Sequence, residues 1–125
     1  MKNMAYTILD GNLTSDPETK KINNGKSITT FSIAINHYVK TSESDSNGSG
    51  DVSYIDVETW DKLADNCSEF LKKGKMVTVI GTLRQERWKS QDGTNRQKYK
   101  VIASSVRFDS FAENKKEKIT NKKVA

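Results

Sequence analysis

One cysteine and one histidine are all that this 125-residue chain has of the two side chains that most often staple small domains. A single thiol, Cys67, cannot close an intrachain disulfide, and with only His37 beside it the usual cysteine and histidine zinc sites are excluded by counting. No run approaches the roughly 18 apolar residues that span a bilayer. The start, Met1 to Tyr6, lacks the apolar stretch of a secretory signal. The expectation is a cytoplasmic protein without membrane association. Apolar residues are only 34% of the chain, which leaves material for one small core. The length suits one domain of roughly 100 residues with tails.

Charge is plentiful: 21 Lys and Arg stand against 16 Asp and Glu, a net +5. That balance permits attraction to polyanions, but it needs a geometric partner before it indicates one.

The periodicity is mostly that of strands. Tyr6 to Leu13 alternates, with Tyr6 and Ile8 on one side and Leu9, Gly11 and Leu13 on the other, and breaks at Asp16-Pro17-Glu18. Ser27 to Asn36 carries Phe31, Ile33 and Ile35 at period two, and Ile28, off that register, implies a bulge. Residues 41–51 contain only polar and small side chains until Val52 and are expected to form a mobile loop. In a third strand, Ser53 to Thr59, Ile55, Val57 and Thr59 share one face, while Tyr54, Asp56, Glu58 and Trp60 share the other.

Then the period changes. Leu63, Ala64, Cys67, Phe70 and Leu71 recur at helical spacing, with Asp61 placed to cap the helix and Lys72-Lys73-Gly74 to stop it. On that stripe Cys67 reads as a small core residue. Met76 to Trp88 and Tyr99 to Phe108, joined at Gln91-Asp92-Gly93, form a hairpin of two further strands. Three strands, a helix and two strands match an all-β, five-stranded Greek-key oligonucleotide-binding barrel (OB-fold), with its one helix between strands three and four. Residues 1–108 are expected to form this domain, and 109–125 a disordered basic tail.

Four aromatics fall where packing does not demand them: Tyr38 ends strand two, Tyr54 and Trp60 lie on the outer face of strand three, and Trp88 ends strand four. Lys62, Lys72, Lys73, Arg84, Arg87, Lys89 and Arg96 flank them in sequence. Aromatic rings stack on any base and cations track phosphates, so the pattern points to sequence-tolerant binding of a single strand. Asp56 and Glu58 share the aromatic face, where they would repel phosphates. Either neighbouring strands supply cations to pair with them, or they hold a metal ion in a nuclease site. Asn24-Gly25-Lys26-Ser27 imitates the end of a phosphate-binding loop. It fails because Lys20 stands where the first glycine belongs and a strand follows instead of a helix.

Gly11-Asn12-Leu13 with Asp16-Pro17-Glu18, Phe31-Ser32-Ile33-Ala34, Trp60-Asp61-Lys62-Leu63-Ala64, Lys73-Gly74, Gly81-Thr82-Leu83-Arg84 and Trp88 with Asp92-Gly93 stand in one order across residues 6–108. In these motifs the chain resembles the bacterial single-stranded DNA-binding protein family. The resemblance implies a homotetramer of barrels around which single-stranded DNA wraps in replication, recombination and repair, with no cofactor and no catalysis. It maps the base-stacking aromatics onto Tyr38, Tyr54, Trp60 and Trp88, and phosphate contacts onto Lys62 and Lys73. Family members typically end in an acidic tip that recruits repair and replication enzymes. This sequence ends Lys122-Lys123-Val124-Ala125, a departure that puts such recruitment in doubt: either the chain is truncated, or it is a plasmid, phage, organellar or secondary paralogue that coats DNA without recruiting through that tip. A barrel that serves as an interaction module for RNA or protein is the alternative, because this fold has many uses.

Overall fold

A computed structural model describes residues 1–37 and 51–108. The elements are β1 (Tyr6–Leu13), β2 (Glu18–Lys21), β3 (Ser27–His37), β4 (Asp51–Trp60), α1 (Asp61–Phe70), β5 (Met76–Lys89) and β6 (Asn95–Phe108). Antiparallel pairing joins β1 to β5, β5 to β6 and β3 to β4. A short parallel seam joins β4 to β6, and β1 meets β3 through Asn12 and Leu13. Five strands thereby close into the expected barrel.

The short β2 is an addition to the expectation. It pairs with Ser27 to Thr30 of β3, just beyond the point where β1 leaves that strand, so β1 and β2 act as two halves of one strand interrupted at Ser15-Asp16-Pro17. Proline has no N–H for the ladder, which favours the break there.

Inward-facing residues build the core. Leu13, Phe31, Ile33, Val57, Val77, Val79, Val101 and Val106 fill the barrel, and Cys67 and Leu71 of the helix segment plug its end. Burial pushes the Cys67 thiol up to about 11, against a smaller opposing hydrogen bond with Thr59, so it stays protonated and unreactive at neutral pH. Phe70 departs from the expected buried stripe. It is half exposed and stacks on Phe108, with ring centroids 5.8 Å apart.

The bulge is not at Ile28. Pairing of β3 with β4 runs without a slip from Ile28 opposite Trp60 to His37 opposite Asp51. Ser27 and Thr29 continue the inward register as buried polar residues, so Ile28 faces outward in an ordinary strand. Thr29 can occupy the interior because its hydroxyl donates to the Ala64 carbonyl at 2.8 Å, tying the helix to the barrel, and Thr59 donates to the Thr29 carbonyl. The register shift falls between Ile80 and Gly81 of β5, where Ser104 is the extra residue of β6. It switches the inward positions of β6 from Val101 and Ala103 to Val106 and Phe108. At Gly81 the backbones approach so closely that a Cβ would collide with the Ile102 carbonyl.

Several boundaries also differ. Asp51 belongs to β4 instead of the preceding loop, and β6 starts at Asn95, four residues before Tyr99. Asp61 is the first helical residue and makes no side-chain cap; the N-cap position is Trp60. The remainder of the expected loop, 41–50, and the expected tail, 109–125, lie outside the described residues.

Candidate nucleic-acid interface

The outer face of the barrel follows from alternation. Once Val57 points inward, Tyr54, Asp56, Glu58 and Trp60 must point outward, beside Ala34, Ser32, Thr30 and Ile28 of β3. Across the parallel seam come Lys98 and Lys100 of β6. The hairpin register then brings Arg84 opposite Lys100, Glu86 opposite Lys98 and Trp88 opposite Arg96 on the same side. Tyr54, Trp60, Arg84, Trp88 and Arg96, scattered over the sequence, thus share one surface. A groove whose lining carries three lysines (Lys20, Lys98 and Lys100) and five acids (Asp16, Glu18, Asp56, Glu58 and Glu86) crosses it.

All three aromatics are open to solvent, Tyr54 by 67%, Trp88 by 43% and Trp60 by 37%, too much for core residues. Trp60 sits at the corner where β4 becomes α1. Asp61 takes a left-handed backbone there (φ 58), which aspartate tolerates better than most residues, and the chain bends sharply beneath the indole. The Trp60 N–H donates to Glu58 Oε2 at 2.6 Å.

The two acids are paired across the seam. Lys98 meets Asp56 at 3.2 Å and stands 6.0 Å from the centre of the Trp88 ring. Lys100 meets Glu58 at 2.8 Å and Glu86 at 3.7 Å. The first pair is about half exposed, whereas the Lys100 and Glu58 side chains are only 19% and 16% exposed. Burial pushes the Glu58 carboxyl upward, but hydrogen bonds from Lys100 and Trp60 and the charges of Lys100 and Arg84 outweigh it, so its pKa is lowered. Of the two readings for these acids, the geometry realises pairing with cations.

The other candidate cations are spread out. Lys62 is exposed in the first turn of α1. Lys72 and Lys73 follow the helix, where the Lys73 backbone N–H donates to Asp16 and that of Gly74 to the Leu13 carbonyl. Arg87 and Lys89 alternate to the opposite side of the hairpin from Trp88, although Arg87 and Trp88 still line one cleft with Arg96 and Gln97. At the turn, hydrogen bonds from Ser90 and Thr94 hold the Asp92 carboxyl down to about 2. Tyr38 lies outside the described residues. Lys98 and Lys100 escaped the sequence reading. Their signal is the Asp92-Gly93 turn, which fixes the register that sets them opposite Glu86 and Arg84.

The chain has known relatives. The sequence profile of the single-strand binding protein family matches residues 4–109. Single-stranded DNA-binding protein 2 of Chlorobaculum tepidum is 37% identical over 109 residues, 86% of this chain and 72% of that protein. The single-stranded DNA-binding protein of Caldanaerobacter subterraneus subsp. tengcongensis is 36% identical over 102 residues, 81% of this chain and 65% of that protein. The chain thus spans only part of the length of these relatives. Among solved structures, a Plasmodium falciparum SSB complex with ssDNA matches with a TM-score of 0.75, covering 86% of this chain and 96% of that one. At 23% identity that likeness speaks to the fold alone. The family profile runs through every described strand, and the chain belongs to the single-strand binding protein family.

Proposed function

We infer that this protein binds and protects single-stranded DNA without reading its sequence, in replication, recombination and repair, as a non-catalytic homotetramer in the cytoplasm. The observation that carries this reading is the single outer face on which Tyr54, Trp60 and Trp88 stand exposed among Arg84, Arg96, Lys98 and Lys100. Strands two and three of this fold are its usual ligand platform, and they correspond here to β3 and β4.

In the proposed mechanism bases stack on Tyr54, Trp60 and Trp88, with Tyr38 as a fourth ring, each stack contributing about 1 to 3 kcal/mol. Phosphates are met on that face by Arg84 and Arg96, and further along the strand's path by Lys62, Lys72, Lys73, Arg87 and Lys89. The charges of Asp56 and Glu58 are offset locally by Lys98 and Lys100, the second of which is shared with Glu86, so the strand's phosphates run beside this cluster and not over it. Residues 1–108 form the binding domain, and 109–125 serve as a basic tail. No helix among the described residues is long and apolar enough to cross a membrane.

Titration with oligo-dT tests the reading. Fluorescence of Trp60 and Trp88 is expected to fall, and log affinity to decline with log salt by about 0.7 per phosphate neutralised. Absence of quenching at low salt refutes it. Stronger binding of structured RNA or duplex at equal nucleotide concentration would favour an interaction module of another kind, and Mg²⁺-dependent cleavage of labelled strand would revive the nuclease reading.

A further inference from the structure

Glu58 is an anomaly on a face expected to meet phosphates, because it is the least exposed carboxylate in the two ion-paired groups there. Its two oxygens have different partners: Oε1 accepts from Lys100, and Oε2 accepts from the indole N–H of Trp60. Neutralising a lysine requires only the first bond. The second consumes the one donor an indole possesses and directs it to the protein instead of to water.

The consequence is geometric. Trp60 has an extended backbone (φ −127°, ψ 151°) and is followed at once by the left-handed corner at Asp61, so the origin of its side chain is set. The bond to Glu58, two residues back on the same face, then ties the ring by its pyrrole edge while 37% of the residue stays exposed. Lys100 in turn holds Glu58 from across the seam, at a site where few waters compete. A ring fixed in advance surrenders less rotational freedom when a base lands on it.

Resting on the base-stacking reading above, we propose that Glu58 is a positioning residue: held by Lys100, it fixes the plane of the Trp60 indole so that the free face of the ring is offered to a base. The acid that looks misplaced among phosphate contacts is there for the aromatic.

Two measurements on the full chain test this. In the absence of DNA, the indole N–H resonance of Trp60 is expected to exchange with water more slowly than that of Trp88. Glu58→Val should abolish this protection without moving Trp88, and Glu58→Gln, which keeps an acceptor oxygen at the same reach, should restore most of it. With oligo-dT at fixed salt, Glu58→Val is expected to weaken binding about three- to tenfold beside Trp60, the range set by freeing one side chain. It should weaken binding less than about twofold beside Trp60→Phe, which still stacks but has no N–H to hold. Loss of the negative charge acts alike in both backgrounds, so the comparison isolates the ring. Should the valine variant not fold, Glu58→Thr, another strand former without the reach, gives the same readings. Equal effects in both backgrounds, or binding with an unmoved Trp60 resonance, overturn the role of Glu58 alone. Failure of the unaltered chain to bind oligo-dT overturns the stacking reading and this role with it.

Discussion

Along β4 two chemistries alternate residue by residue. Ile55, Val57 and Thr59 look into the barrel, where Val57 and Thr59 are fully enclosed, while Tyr54, Asp56, Glu58 and Trp60 look out. Inside, the buried Thr29 and Thr59 hydroxyls donate to backbone carbonyls, those of Ala64 and Thr29. Outside, charge is answered by charge from another strand, and the three rings stay substantially exposed, Trp88 with the Lys98 ammonium over it. The inner set fixes the shape and tolerates little change. The outer set can change at small cost in stability, but changes there are expected to alter binding.

The sharpest way to break that contrast is from within. Gly81→Ala places a methyl against the Ile102 carbonyl, backbone that cannot swing aside, and should destabilise the fold beyond the roughly 1–3 kcal/mol of ordinary overpacking. Urea unfolding measures it; a loss below about 1 kcal/mol would mean the strands can separate there. On the outer face, Trp88→Ala should cost about 1–3 kcal/mol of oligo-dT affinity while its unfolding midpoint stays close to that of the unaltered chain. If stability falls and affinity does not, Trp88 belongs with the packing residues.

Smaller still is Asp56→Asn, which releases Lys98 from a half-exposed pair. Stability should change by no more than about 0.2–1 kcal/mol. The salt dependence of binding should steepen by about 0.7 if the freed ammonium takes a phosphate. The mildest test is acid. Because the Glu58 pKa is lowered on folding, the unfolded chain takes up that proton at higher pH than the folded one. Its contribution to stability is therefore full above the ordinary value of 4.5 and fades as pH falls through the folded value. Denaturation curves of Glu58→Gln should lack that part of the acid-side loss.

What could be read in the sequence follows the same division. The register of β4 was legible because Ile55, Val57 and Thr59, apolar or β-branched at period two, alternate with the acids Asp56 and Glu58. Ile28 misled because hydrophobicity cannot reveal that Thr29 takes the inner position, its hydroxyl satisfied by a helix carbonyl. Glu18-Thr19-Lys20-Lys21 has no apolar residue to mark a strand; only its partner on β3 makes it one. The three aromatics were legible as surplus to the core. The partners of Asp56 and Glu58 were not, since they arrive through a parallel seam joining residues more than forty positions apart.

That seam also bears on how the barrel moves. It comprises Asp56 with Lys100, Val57 with Val101 and Glu58 with Ile102, far fewer pairs than the antiparallel joints on either side. Its strands are also remote in sequence, so the entropy of closing the chain falls on this joint. It should form late in folding, after the β5–β6 hairpin has zipped from its own turn. It should also be the first joint to breathe, with backbone amides near Val57 and Val101 trading hydrogen for deuterium ahead of those at Val79. A strand laid across the seam would then act as a splint, and its arrival would be read in the interior of the barrel as well as on the face it touches.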